Sequence, residues 1–207
     1  MVAIATQLPK QASKKKVPDY LVKDEIDGIR FYYRDYKLVI NKRKTINEIM
    51  GCSGIQSLVI QCLMKVLFKN DVDEKYYIFT NEGGNNLSLG NNYSFDIALY
   101  DRKMLSPEAI TKKYVQGIAP HTVIEVDTDI SLDDTGFDTL EGYYFTKTKK
   151  LIAYGTQKVI WVFTASQKIL VAEGKDWHIY DFDKTIQLID NVEFNIADFL
   201  QKEQIVL

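Results

Sequence analysis

Residues 121–127 read HTVIEVD and residues 139–155 read TLEGYYFTKTKKLIAYG, and these two stretches decide the fold. The first is a short, mostly apolar run with β-branched residues, which is typical of a buried strand. The second spaces its apolar residues at helical intervals and ends at Gly155, a residue suited to the C-terminal cap of a helix. A buried strand followed by an amphipathic helix indicates a sheet with helices packed on it.

The same kinds of pattern extend the prediction over most of the chain. Helices are predicted at residues 53–68, 107–115 and 196–201, and residues 81–92, rich in glycine and asparagine, are predicted to be a turn-rich loop. Strands are predicted at residues 20–28, 29–33, 37–40, 75–80, 93–100, 159–163, 168–171, 177–180 and 186–189. The predicted fold class is mixed α/β (α+β), with a central mixed sheet flanked by helices and an N-terminal β extension.

Length and charge limit the function classes. The 207 residues suit a single domain, predicted at residues 19–207, after a basic N-terminal arm at residues 1–18. The net charge of −2 argues against a protein coated in basic residues to hold nucleic acid, but it permits a local basic cleft. No apolar run reaches the roughly 18 residues of a membrane span, so we expect a cytoplasmic protein without a membrane partner.

Carboxylates, rather than sulfur or imidazole, are the available metal ligands. The chain has two cysteines and two histidines, and neither histidine is near a cysteine in sequence, which disfavours a zinc site. Two acids stand out, because Asp96 lies within FDIAL and Glu125 within VIEV. A lone carboxylate in a buried strand is costly unless it is paired or binds a metal. We therefore expect Asp96 and Glu125 to share a site with a hard cation.

A lysine on the predicted helix completes this group. At about 100° per residue, Leu140, Tyr143, Leu151 and Tyr154 share one apolar face, and Lys147 lies near its middle. A lysine at the centre of a packed face is costly unless its ammonium meets a carboxylate or a phosphate. The alternative is a side chain that reaches along the surface to solvent.

An aspartate on one strand, a glutamate on the next and a lysine behind them resemble the PD-(D/E)XK nuclease superfamily. More narrowly, the chain is similar to a bacterial family of uncharacterised restriction-endonuclease-like proteins, in which the lysine has moved from the strand to the following helix. The corresponding stretches here are FDIA (95–98), VIEV (123–126) and KTKKLIAYG (147–155). VIWV (159–162) resembles the tryptophan-containing strand of that family.

The resemblance implies a restriction-endonuclease-like fold and a nuclease that depends on Mg²⁺ or Mn²⁺ and acts on nucleic acid, with DNA as the expected substrate. It implies that Asp96, Glu125 and the carbonyl of Val126 bind the metal through oxygen. It also implies that Lys147 orients the attacking water or stabilises charge on the phosphate.

The sequence departs from the family pattern at several positions. Phe95 replaces the proline of the PD element. Asp127 occupies the position of the strand lysine, where alternation puts it on the face of Glu125 as a candidate further ligand. Lys150 is the alternative to Lys147, selected when the helix is aligned on its last tyrosine rather than on its terminal glycine, although the helical face favours Lys147.

Several alternatives stay open. The departures permit a non-catalytic binding or accessory module that keeps a nuclease-like fold with a degraded site. Residues 127–138 place four aspartates and Ser131 at the ligand positions of a calcium-binding EF-hand loop, but Leu132 stands at the glycine position and Asp138 replaces the glutamate. A homodimer is compatible with cutting both strands of a duplex, because that reaction commonly uses two sites.

Overall fold

The computed structural model describes residues 17–112 and 114–207, so most of the arm predicted at residues 1–18 lies outside the described residues. The strands are β1 Val22–Ile26, β2 Ile29–Tyr33, β3 Tyr76–Ser88, β4 Asn91–Asp101, β5 Val115–Gln116, β6 Thr122–Val126, β7 Ile130–Ser131, β8 Lys158–Phe163, β9 Lys168–Glu173, β10 Asp176–Asp181, β11 Ile186–Ile189 and β12 Val192–Phe194. The helices are α1 Tyr36–Ile40, α2 Gly54–Lys69, α3 Val72–Lys75, α4 Pro107–Ile110, α5 Leu140–Tyr154 and α6 Ile196–Lys202.

The strands form one large mixed sheet and a small hairpin. The large sheet runs in the order β10-β9-β8-β6-β4-β1-β2-β7, and β3 pairs with β4 and β5, while β11 and β12 pair separately. β6 and β8 are parallel, whereas β4 with β6 and β8 with β9 are antiparallel. The predicted central mixed sheet flanked by helices is confirmed, and β1 and β2 extend it from the N-terminal side by joining β4.

Helix α2 covers one face of the sheet. The Ser53 side chain accepts a hydrogen bond of 3.1 Å from the Gln56 amide, which caps the start of the helix. Val59, Leu63 and Leu67 recur at helical spacing and are buried against the strands. The helix predicted here is confirmed, and its apolar stripe brings Gln56 to the end of β6.

Helix α5 packs in a second core cluster, against the other side chains of the same strands. The Thr139 side chain accepts a hydrogen bond from the first turn, and Gly155 ends the helix with a left-handed φ of 112°. Tyr143, Lys147 and Leu151, spaced by four residues, are fully buried. The predicted helix is confirmed, and its buried face brings Lys147 against β1, β4 and β6.

Residues 81–92 do not form the predicted turn-rich loop. They belong to a long hairpin of β3 and β4, whose pairing continues up to a turn at Gly90 with a φ of 76°. A side-chain bond also joins the two strands of the hairpin, because Asn85 Nδ2 donates a hydrogen bond of 2.6 Å to the Tyr100 hydroxyl. Pairing with the neighbouring strand therefore outweighs the local preference of glycine and asparagine for turns.

Two shorter predictions are also wrong. Residues 37–40, predicted as a strand, lie in α1, because Asp35 adopts a left-handed φ of 63° and the amide of Leu38 bonds back to its carbonyl. The helix predicted at residues 107–115 ends at Ile110. Among the described residues, no helix is long and apolar enough to cross a membrane.

Candidate active site

Lys147 is the centre of a buried polar cluster formed with Asp24 and Glu125. Its side chain is 0% exposed, and its Nζ donates hydrogen bonds of 2.7 Å to Asp24 Oδ2 and 2.7 Å to Glu125 Oε1. A longer bond of 3.3 Å reaches the carbonyl of Ser94. The ammonium therefore does not extend to solvent, and the two carboxylates offset the cost of burying its charge.

Aromatic rings enclose this ammonium. Lys147 Nζ lies 5.4 Å from the ring centroid of Phe95 and 5.6 Å from that of Trp161, distances at which cation–π attraction operates. Tyr143, one helical turn before the lysine, donates its hydroxyl to Asp24. The polar cluster thus lies in an apolar, low-dielectric surrounding, which strengthens each ionic interaction within it.

The charges of the polar cluster are unbalanced, since two carboxylates share one lysine. Burial lowers the pKa of Lys147, but the Asp24 and Glu125 carboxylates outweigh burial and hold this pKa above the usual lysine range. Burial raises the pKa of Glu125 to about 7 against the opposing charge of Lys147, and the charges of Asp96 and Asp24 add to the rise. The two carboxylates therefore favour the charged form of Lys147, whereas burial favours the protonated form of Glu125.

Asp96 lies on the strand next to Glu125. The antiparallel register of β4 with β6 reaches the pair of Ile97 and Ile124, so Asp96 and Glu125 are the next residues along each strand. Asp96 Oδ2 accepts a hydrogen bond of 2.7 Å from the amide of Val126 and lies 3.5 Å from Gln56 Nε2. Burial raises the pKa of Asp96, although the hydrogen bond from Val126 opposes the rise. Asp96 lines a cavity of about 290 Å³, which we call the Asp96 cavity.

The structure brings together the three main residues predicted for the site. Lys147 contacts Glu125 directly, and Asp96 holds the amide of the residue that follows Glu125. Of these three, Asp96 alone lines the Asp96 cavity, and Glu125 is 2% exposed. Lys147 is thus placed to orient Glu125 rather than to touch a ligand in the cavity, which differs from the direct role on water or phosphate that the family resemblance implies.

The two other candidates lie apart from the polar cluster. Lys150 Nζ pairs with Asp27 at 2.7 Å on the surface. Asp127 follows the last residue of β6 with a left-handed φ of 48°, so strand alternation no longer places it on the face of Glu125. Its carboxylate accepts hydrogen bonds from the backbone amide of Thr164, at 2.8 Å, and from the hydroxyl of the same residue. Asp127 does line the Asp96 cavity, as part of its wall.

The acidic segment at residues 127–138 does not gather its carboxylates around one point. Asp129 pairs with Arg34 at 2.9 Å, and Asp133 pairs with Lys37 at 2.9 Å. Between them, β7 pairs with β2 in the large sheet. These acids are therefore drawn to basic side chains near the end of β2, an arrangement unlike a calcium-binding loop.

Asp24 is a residue of the site that the sequence interpretation missed. It is buried on β1, where its Oδ2 accepts from Lys147 and its Oδ1 accepts a hydrogen bond of 2.9 Å from the amide of Ser94. The available signal was strand alternation, which puts Asp24 on the same face as Ile26. An acid on an inward face indicates that a partner exists, but it does not identify the partner.

Gln56 is a second missed residue, and it bridges two oxygens at the Asp96 cavity. Its Nε2 donates a hydrogen bond of 2.6 Å to the Val126 carbonyl and lies 3.5 Å from Asp96 Oδ2. The signal was its place on the apolar stripe of α2, one helical turn before Val59.

The position of the Gln56 amide suggests where a cation fits. An N–H donor between a carboxylate and a carbonyl stands where a small cation would stand, so these two oxygens suit a hard ion such as Mg²⁺, with water completing its shell. In the part of the chain that the structure describes, no three side chains of Asp, Glu, His or Cys converge as a metal site. A cation here would therefore depend on the Val126 carbonyl and on water as well as on carboxylates.

Comparison with solved structures identifies a protein of the same fold. The chain is similar to a protein from Anabaena variabilis described as a "putative nuclease belonging to DUF820". The TM-score is 0.56 and the sequence identity is 15%, and the likeness covers 72% of this chain and 82% of the other. No family model matches the sequence, and neither does any curated protein. At this identity, the likeness shows a shared fold.

Proposed function

We propose that this protein is a metal-dependent nuclease of the PD-(D/E)XK type that hydrolyses phosphodiester bonds in nucleic acid, with DNA as the expected substrate. The observation that carries the proposal is the buried Lys147, which joins Asp24 on β1 to Glu125 on β6. Both strands pair with β4, the strand of Asp96, which lines the cavity. A buried charged cluster commonly stabilises a fold less than apolar packing does, so its presence beside a cavity points to a chemical role. The description of the Anabaena variabilis protein as a "putative nuclease" supports the same conclusion.

Asp96, Glu125 and the Val126 carbonyl would hold Mg²⁺ or Mn²⁺, and such a metal, when bound, supplies Lewis acidity toward the phosphodiester. The remaining chemistry belongs to the chain itself. Lys147 fixes the orientation of the Glu125 carboxylate, and the hydrogen bond from Val126 fixes that of Asp96. For an ion to bind between these two oxygens, the Gln56 amide would have to leave the position in which its nitrogen now contacts both.

Cleavage assays test the proposed activity. Plasmid DNA, short DNA strands and RNA are incubated with MgCl₂ or MnCl₂, and we expect the wild type to cut and EDTA to stop it. The cleavage rate of Glu125→Gln should be about a hundredfold or more below that of the wild type. This is about the factor that one electrostatic contact to a transition state contributes. Glu193→Gln, at an exposed position on β12, is the matched control and should cut like the wild type. Equal rates in the wild type and Glu125→Gln would reject the assignment.

The metal site has a test that does not depend on cleavage. A ligand at about a hundred times its dissociation constant stabilises the folded state by about 3 kcal/mol, which raises the melting temperature. We expect Mn²⁺ to raise the melting temperature of the wild type and of Asp27→Asn, a control in an exposed ion pair, but not that of Asp96→Asn. An equal shift in all three proteins means that the ion binds elsewhere.

A non-catalytic nuclease-fold module is the second candidate. It is favoured by Phe95 and Asp127, which replace the family's proline and strand lysine, and by the enclosure of Glu125. If the protein is such a module, the wild type and Glu125→Gln should bind nucleic acid with equal affinity. The wild type should then cut nucleic acid with neither Mg²⁺ nor Mn²⁺. Cleavage by the wild type excludes it.

A further inference from the structure

The Asp96 cavity contains a lysine for which the proposed chemistry gives no role. Lys23, on β1, lines this cavity and also a second cavity of about 610 Å³. Tyr33 is the other residue common to both walls, so the two cavities meet at this pair. Lys147 lines neither of them. A negatively charged ligand entering the Asp96 cavity would therefore meet Lys23 and not Lys147.

Neighbouring groups hold Lys23 beside Asp96. The Ser94 hydroxyl donates a hydrogen bond of 3.3 Å to the Lys23 carbonyl, and Ser94 precedes Asp96 by two positions on the adjacent strand. The Lys23 ammonium lies 5.5 Å from the ring centroid of Tyr33, which favours one direction for the side chain. Burial raises the pKa of Asp96, and the charge of Lys23 opposes that rise more strongly than Lys147 does.

The wall of the Asp96 cavity needs such a cation if a phosphate is to enter. Asp96, Asp127 and Asp129 all line it, and three carboxylates repel a phosphate. Among the described residues of this wall, Lys23 is the basic one. The second cavity offers less to a phosphate, because the acids Asp19, Asp24 and Glu25 line it. Its Arg30 is already paired with Asp19 at 2.8 Å.

We propose that Lys23 binds a phosphate of the substrate strand beside Asp96, at the point where the two cavities meet. This inference rests on the proposed nuclease function, because it takes a nucleic acid strand as the ligand. The two lysines of the site then have different roles. Lys147 positions Glu125 from inside the fold, and Lys23 contacts the substrate from the cavity.

Binding measured in EDTA, where metal-dependent cleavage cannot proceed, tests Lys23 directly. The probes are short fluorescein-labelled DNA, single-stranded and duplex, followed by anisotropy over a range of salt concentrations. Loss of one phosphate contact should lower the slope of log Kd against log salt concentration by about one. Near 0.1 M salt, this change corresponds to binding that is about tenfold weaker. Lys23→Ala and Lys23→Gln should both show this change, and Lys23→Arg should recover most of the affinity. Lys184→Ala, an exposed lysine in neither cavity wall, should bind like the wild type.

The outcomes separate this inference from the nuclease proposal. If Lys23 merely balances the charge of Asp96, its replacement changes the melting temperature but leaves the salt slope unchanged, and the inference is overturned. Absence of DNA binding by the wild type overturns it as well. A lower slope in the Lys23 variants of a protein that never cuts supports the phosphate site and defeats the nuclease proposal. If the wild type cuts DNA, and Lys23→Ala binds and cuts DNA as well as the wild type does, the nuclease proposal is supported and the phosphate site at Lys23 is overturned.

Discussion

Replacing Glu125 with glutamine should raise the stability of the folded protein above neutral pH, although it removes a residue of the proposed active site. Glu125 is buried and shares Lys147 with Asp24. Burial raises its pKa from 4.5 to about 7, so its ionisation in the folded protein is unfavourable. Glutamine keeps an oxygen that accepts the hydrogen bond from Lys147, but it has no proton to lose.

The size of the effect follows from the shift in pKa. Because the folded pKa of Glu125 exceeds the unfolded value, the stability that this group contributes is complete below 4.5 and is lost as the pH rises through about 7. One pKa unit corresponds to about 1.4 kcal/mol, so the wild type should lose up to about 3 kcal/mol across this window. The glutamine variant lacks this loss.

Urea unfolding, followed by tryptophan fluorescence from about pH 5 to about pH 8, measures the effect. We expect the free energy of unfolding of Glu125→Gln to gain about 2 to 3 kcal/mol relative to the wild type as the pH rises. Taking the difference between the two proteins removes the contribution of other groups, such as His121, whose pKa burial lowers. Glu193→Gln, at an exposed position on β12, is the matched control for the exchange of glutamate for glutamine. A constant difference for Glu125→Gln would refute the reasoning.

Further predictions concern stability and reactivity. Lys147→Met should lower the free energy of unfolding by about 3 to 5 kcal/mol near neutral pH, because it leaves two buried carboxylates without a cation. Lys150→Met breaks an exposed pair and should cost less than about 1 kcal/mol, so equal losses in urea unfolding would contradict the difference in burial. Thr148→Val should cost about 1 to 3 kcal/mol in the same assay, because the hydroxyl accepts a bond of 2.8 Å from a buried indole of β8. Mass spectrometry after brief thiol labelling should find Cys52 modified and Cys62 unmodified, since Cys62 is buried and burial raises its pKa to about 11; labelling of both in urea is the control.

Elements with a strong local pattern could be predicted from the sequence. Helices α2 and α5 carry both an apolar stripe and the capping residues Ser53, Thr139 and Gly155, and the structure gives them nearly the predicted bounds. The helical face also separates Lys147 from Lys150, because three residues along the helix move a side chain from the middle of the stripe to its edge. Such information is local, so it does not depend on knowing which strands pair.

The remaining features depend on contacts between distant parts of the chain. Asp24 and Lys147 are separated by 123 positions, and no local pattern joins them. Residues 81–92 have the composition of a turn, and their pairing with β4 makes them a hairpin. Asp127 shows the limit of strand alternation, which holds only while the backbone stays extended and ends where φ becomes 48°. Gln56 needed the packing of α2 against β6 to bring its amide to the Val126 carbonyl.

The charge of the polar cluster indicates that it serves more than packing. One ammonium faces two buried carboxylates, which leaves an excess of negative charge when both are ionised. A lysine buried for stability alone needs one carboxylate, and apolar residues of similar volume often stabilise a fold equally well or better. The excess charge can be met by a proton on Glu125, in keeping with its pKa of about 7, or by a cation beside Asp96 on the neighbouring strand. These two compete, because a metal bound to carboxylates displaces their protons. The arrangement that we expect to weaken the fold above neutral pH is therefore also the one on which the proposed divalent cation would depend.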